Sequence, residues 1–167
     1  NASIDSVQGS TVPDMTIDNP ENNVIGKKTI TISYGGQTAS YQVTVVPKKP
    51  SVYLLKKLDF DTVTAYSSAN SGLTGVHFAV RPDGATTYTS MGLSNKKTAS
   101  GNYFWDSVQL LKPGKVYNFK VRTYVTVNGE RFYSDWSSVK SISLPALTGV
   151  ERWRYETKRQ LLAHGVY

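Results

Sequence analysis

The side chains able to do chemistry are few and scattered. His77 falls in the run Val76 to Val80, VHFAV, and His164 lies near the C-terminal end. Neither stands in a ligand cluster, and the chain has no cysteine, so no metal or thiolate site is expected. Asp59 and Asp61 are two apart, which places them on one face of an extended strand. Paired carboxylates can do acid–base work or hold calcium, but at the start of a strand they are more often solvated. Ser134-Asp135-Trp136-Ser137 offers Ser and Asp with no positioned His, so it is no triad. No catalytic residue and no cofactor is expected in this segment.

Aromatic residues carry more. Tyr103, Phe104, Trp105, Tyr124, Phe132, Tyr133 and Trp136 cannot all fill one core if their strands alternate. Exposed Tyr and Trp rings stack on sugars or anchor interfaces. The competing reading packs Trp105 and Trp136 on the flank, over Lys and Arg stems. Trp105, Tyr124, Phe132 and Trp136 are the candidate binding residues.

The elements that must position them centre on Leu111 to Trp136. Tyr117, Phe119, Val121 and Thr123 alternate with Asn118, Lys120, Arg122 and Tyr124, the period of a strand with one buried face. Asn128-Gly129 tolerates the positive φ angles of a two-residue type I′ turn, and a return strand follows from Arg131. Upstream, Leu111, Pro113, Gly114 and Tyr117 form L-x-P-G-x-x-Y, a sharp corner followed by a Tyr. Its hydroxyl is expected to bond back to backbone near Leu111 to Gly114. With the exit Tyr133-Ser134-Asp135-Trp136-Ser137, this stretch resembles the second half of a fibronectin type III domain. The resemblance covers roughly residues 50 to 144 and implies a fold without naming a ligand.

The remaining strands of that module are expected at Val52 to Leu58, Asp61 to Tyr66, Val76 to Val80, Thr86 to Met91, Tyr103 to Leu110 and Ser138 to Leu144. Before it, Lys28 to Tyr34 and Thr38 to Val46 flank Gly35-Gly36, a hairpin signal. GKKTITISYGGQTASYQVTVV resembles the last two strands of a bacterial immunoglobulin-like domain, with Ile4 to Ile17 as earlier strands. Pro47-Lys-Lys-Pro50 reads as a short stiff linker. After Pro145, Thr148 and Glu151 fit a capping box, and a helix is expected over about 149 to 164, stopped by Gly165. Val150, Trp153, Leu161 and Leu162 lie near one stripe, while Arg152, Arg154, Lys158 and Arg159 point elsewhere. GVERWRYETKRQLLAHGVY resembles the opening helix of lysozyme-like domains in phage tail proteins and wall hydrolases. The acid Glu of that family is not in this stretch.

The expected fold is therefore mainly β: two tandem β-sandwich modules, immunoglobulin-like and fibronectin type III-like, with a C-terminal α-helix. Its parts are a first module over 1–46, a linker over 47–50, a second module over 51–145, and a helix over 146–167 leading into a further domain. Hydrophobic residues make up 39% of the 167, enough for a core. The chain begins with Asn1 and reads as a mature product or part of something longer. No apolar run is long enough to span a membrane. The formal charge of +7 comes from scattered Lys pairs with no nucleic-acid motif beside them, so nucleic acid is not an expected partner. The expected role is non-catalytic: an extracellular spacing and adhesion segment of a phage tail or a bacterial surface or wall-acting protein. Its expected partner is cell-wall glycan or other subunits of a larger assembly. The alternative is the noncatalytic front of a peptidoglycan-cleaving enzyme.

Overall fold

A computed structural model describes residues 16–18 and 24–165. They form two compact units, which divide between Val45 and Val46. The expected strands over Ile4 to residue 15 lie outside the described residues.

The described part of the first unit is one antiparallel sheet of β1 (Thr16–Asp18), β2 (Gly26–Tyr34) and β3 (Gln37–Val45), in the order β1-β2-β3. Tyr34 pairs with Gln37 around Gly35 and Gly36, whose φ angles of 55° and 77° are both positive. That geometry is the reason glycine stands at both turn positions. Ile30, in mid-strand, is buried.

The second unit is a sandwich. One sheet holds β4 (Leu54–Asp59), β5 (Thr62–Ser68) and β8 (Tyr103–Val108) in the order β4-β5-β8. The other holds β6 (Gly75–Pro82), β7 (Thr89–Ser94), β9 (Val116–Val127), β10 (Glu130–Tyr133) and β11 (Lys140–Ser143). Its order is β10-β9-β6-β7, with β11 also on β9. Val63 and Ala65 of β5, Val76, Phe78 and Val80 of β6, Phe104 of β8, and Tyr117, Phe119 and Val121 of β9 meet between the sheets. Each set recurs every second residue, so alternation in the sequence becomes the two inner faces of the core. The mainly β class with a C-terminal helix is what the sequence led us to expect. The fourth strand lies further along than expected, at Thr89–Ser94 rather than Thr86 to Met91. A register shift between His77 and Ala79 accompanies its pairing with β6.

The corner and hairpin have their expected chemistry. Tyr117 is buried, and its hydroxyl accepts the Lys112 N–H at 2.6 Å. Asn128 and Gly129 have φ of 50° and 82°, closing Val127 against Glu130.

Helix α1 (Gly149–Ala163) starts as expected, with Glu151 Oε2 accepting from the Thr148 N–H at 2.9 Å and from Thr148 Oγ1 at 2.8 Å. Those bonds, backbone first, hold the Glu151 carboxyl below its usual range. Its packing corrects the sequence reading. The helix belongs to the second unit, and its buried residue is Tyr155, whose ring meets Phe60 edge-on at 6.1 Å. One turn on, Lys158 Nζ donates to Asp61 Oδ1 at 3.0 Å. Lys158 therefore does not face solvent, whereas Val150, Trp153, Leu161 and Leu162 remain exposed. Asp61 decides this orientation. It is fully buried, and a buried carboxylate requires a cation or strong donors. The helix turns its Tyr155/Lys158 side inward to supply them, at the expense of the stripe that hydrophobicity favours. Asp59 and Asp61 do not form a solvated pair either, since Asp61 is buried while Asp59 is exposed and accepts the Phe60 N–H at 2.8 Å.

Candidate functional site

The outer surfaces of the two sheets of the second unit hold the aromatic residues, and they are built differently. On the β6–β9–β10 side, β9 turns Lys120, Arg122 and Tyr124 away from the core. Arg122 lies 4.0 Å from the Tyr133 ring centre and 4.7 Å from that of Trp136. Lys120 lies 4.4 Å from Trp136 and 4.1 Å from Tyr88, and Arg81 lies 4.6 Å from Tyr88. Rings and cations thus alternate as Tyr133, Arg122, Trp136, Lys120, Tyr88, Arg81. Each contact satisfies a charge on a π face and occupies that face.

Tyr133 and Trp136 are three residues apart, so an unbroken strand would send them to opposite faces. Two serines break it. Ser134 Oγ accepts the Thr123 N–H and Ser137 Oγ accepts the Val121 N–H, both at 3.0 Å. The Ser134 and Ser137 N–H groups still donate to the carbonyls of Thr123 and Val121. Hydroxyls replace the carbonyls that a regular partner strand would present, so β9 stays satisfied while the chain shifts phase. Trp136 then lies on the same side as Tyr133, which explains why β10 and β11 are separate strands.

His77 completes this surface. Arg122 Nε donates to Nδ1 at 3.2 Å, which leaves the ring proton on Nε2, 2.7 Å from Ser90 Oγ. A serine that accepts a hydrogen bond from histidine is not activated as a nucleophile, and arginine stands where a triad has its carboxylate. Burial first, then the charges of Arg122 and Lys120, hold His77 below its usual pKa. Among the described residues no group of three His, Cys, Asp or Glu could hold a metal ion.

The β4–β5–β8 side is open. Leu54 pairs with Tyr66, and Tyr66 with Trp105, in one row across three strands. Their neighbours Ala65 and Phe104 point into the core, so this row points out. Tyr53 and Tyr103 stack beside it with ring centres 4.4 Å apart and planes 20° from parallel. A hydrogen bond to Tyr53, then burial, holds the Tyr103 phenol above its usual pKa. Tyr53 is 52% exposed. Lys96 lies 5.2 Å from the Trp105 ring, and the indole N–H donates to the Lys97 carbonyl at 3.2 Å. Among the described residues no cation lies over Tyr53, Tyr66 or Tyr103. This is the candidate site: a row of rings backed by a packed sheet, in which the three tyrosines have no cation over them and Trp105 shares a face with Lys96.

The four residues singled out from sequence are not brought together. Trp105 lies on the open side. Trp136 and Tyr124 lie on the cation-clamped side, where Tyr124 is buried and tilted against Tyr133 at 5.8 Å. Phe132 is buried and pairs with Val125 one residue out of phase with Tyr133, so it faces inward. Tyr53 and Tyr66 were missed. The alternation of Val63, Ala65 and Ser67 against Thr64, Tyr66 and Ser68 could have found Tyr66. Tyr53 carried no such signal, because its strand begins only at Leu54.

No family model matches the chain, and no curated protein matches it. Among solved structures, one titled "Myokine structure" aligns at 12% identity over 59% of this chain and 98% of its own, with a TM-score of 0.46. The third fibronectin III domain of human KIAA0343 protein aligns at 13% identity over 62% of this chain and 87% of its own, TM-score 0.45. A structure titled as a bromine derivative of BhCBM56 aligns at 11% identity over 56% and 92%, TM-score 0.39.

Proposed function

We propose that this chain is a non-catalytic spacing and adhesion segment that binds bacterial cell-surface glycan through the outer side of β4–β5–β8. The carrying observation is the outward-facing aromatic row of Tyr53, Tyr66, Tyr103 and Trp105, whose tyrosines have no cation over them among the described residues. Flat rings accept the apolar C–H faces of sugars, while nearby hydroxyls and carbonyls serve the sugar's polar rim. The rings sit on strands whose other side is packed, so little ordering is needed on binding. Trp105 remains in this proposal. Tyr124 and Phe132 leave it because they are buried, and Trp136 because Lys120 and Arg122 both lie on it, whereas Trp105 has Lys96 alone, at 5.2 Å. The proposed setting is extracellular, in a phage tail or a bacterial surface or wall-acting protein. No helix among the described residues is long and apolar enough to cross a membrane.

The test is retention on purified bacterial walls. Tyr103→Ala combined with Trp105→Ala should abolish retention while circular dichroism remains native. Undiminished retention by this folded variant would remove the proposal.

A second reading, the noncatalytic front of a peptidoglycan-cleaving protein, draws on α1. Val150 and Trp153 are 66% and 68% exposed, an uncovered stripe suited to a following domain. It requires that a parent protein carrying this helix clear a suspension of purified walls, and absence of clearing would remove it.

A further inference from the structure

We infer that the open aromatic side of β4–β5–β8 is built for an acidic polysaccharide whose sugar rings carry carboxylates. The inference rests on the glycan reading above and narrows its ligand to one charge class.

Lysines frame the rings on several sides. Lys56 is two residues from Leu54 and so shares its face, opposite Thr64. Beyond Thr64 stands Ser107, and the two hydroxyls bond to each other at 2.7 Å. At the β4 edge, Lys140 reaches across from β11 and its Nζ donates to the Tyr53 carbonyl at 2.7 Å. That places an ammonium beside the Tyr53/Tyr103 stack. At the β8 edge, Lys97 bridges to Phe104 and Lys96 lies over Trp105.

The carboxylates of this region do not cancel these charges at the rings. Asp106 is nearly buried, and Oδ1 takes the Lys96 ammonium at 3.0 Å and the Ser107 N–H at 3.0 Å. Lys96 is therefore largely spent and the Lys97 ammonium lies 5.1 Å from the inward-facing Phe104 ring, while Lys56 and Lys140 bring positive charge to the rim. Asp59 lies at the far end of β4, engaged with the Phe60 N–H.

Two features act together. The rings select a ligand made of rings, since an open-chain polyanion would leave them without partners. The lysines select one with negative charge repeated along its length, and charge complementarity at a rim mainly raises the association rate and the salt dependence. A uronate polymer has both properties in every residue. A polyol-phosphate chain has the charge with few rings to stack, and a neutral glucan has rings alone.

The experiment uses the full chain and three soluble probes: polygalacturonate, dextran and polyglutamate. Polygalacturonate should bind, weakening steeply between low and physiological salt, while dextran and polyglutamate bind at least about tenfold more weakly, a difference of about 1.4 kcal/mol. Lys56→Ala with Lys140→Ala should lower polygalacturonate affinity about tenfold, with its salt dependence reduced. Both substitutions are at the surface, and an unchanged melting midpoint shows that the fold survives. Equal binding of dextran would overturn the acidic preference and leave the glycan reading intact. Equal binding of polyglutamate would show a plain polyanion surface and overturn the inference. If walls retain the chain through Tyr103 and Trp105 but polygalacturonate does not bind, the inference alone falls. If walls do not retain it either, both fall.

Discussion

The two outer surfaces of the sandwich use the same residue types for opposite ends. Around β9, arginine and lysine lie between Tyr133, Trp136 and Tyr88, so charges and π faces satisfy one another. On β4–β5–β8, tyrosines stack on each other and present their remaining faces outward, while lysines stand at the edges. Both surfaces carry several tyrosines and a tryptophan. How many rings carry a cation, Tyr133, Trp136 and Tyr88 on one side against Trp105 on the other, separates a surface that is already complete from one that lacks a partner.

The largest effect should come from a substitution that touches neither surface and so sets the scale. Lys158→Met leaves Asp61 buried with Thr62 Oγ1 as its remaining side-chain donor. It should cost about 3 kcal/mol, read as a fall in the urea midpoint with little change in slope. A loss below about 1 kcal/mol would mean that the helix is not held through this pair.

Gly75→Ala attacks the clamped surface from beneath. A Cβ there would stand 2.5 Å from the Ser94 carbonyl oxygen and 2.7 Å from the Tyr124 hydroxyl. One contact is backbone and cannot yield, so a loss of about 2 kcal/mol is expected, with Tyr124 displaced from Tyr133. A neutral result would show that the rings of this surface float.

Arg122→Ala tests the clamp itself. It removes the cation between Tyr133 and Trp136 and the donor to His77, and should cost about 2 kcal/mol while leaving wall retention unchanged. Loss of retention at full stability would reverse the roles of the two surfaces.

Acid should loosen the clamped surface first. The folded pKa of His77 lies below the ordinary 6.5, so near that pH the folded state binds fewer protons than the unfolded chain. Its contribution is present in full above 6.5 and is lost as pH falls through the lower folded value. The group is partly exposed, so the change should stay below about 1 kcal/mol. His77→Gln should flatten the stability profile over this interval, and an unaltered profile would assign the pH dependence to other groups.

Tyr53→Ala should change stability least, within about 0.5 kcal/mol, because the residue is half exposed at the start of its strand. Its effect should appear in binding. A marked fall in melting midpoint would make the tyrosine stack a structural clamp as well, and the contrast between the surfaces would disappear.

Much of the scaffold was legible because it depends on neighbours in the chain. Alternation located β9 and its inward residues, Asn128-Gly129 located the turn, the corner spacing placed the Tyr117 hydroxyl, and Thr148 with Glu151 marked the helix start. These are backbone preferences and short-range bonds, expressed within a few residues of the side chains that cause them. What tertiary structure decided depends on residues far apart in sequence. Lys158 and Asp61 meet only when the helix closes the end of the sandwich, and desolvation of one carboxylate then overrides the apolar stripe. The phase shift at Ser134 and Ser137 appears only with β9 as partner, and it moves Trp136 onto the surface of Arg122. Tyr53 meets Tyr103 only because β5 lies between their strands. Residue types set which rings and cations were available, and long-range packing decided which rings were covered.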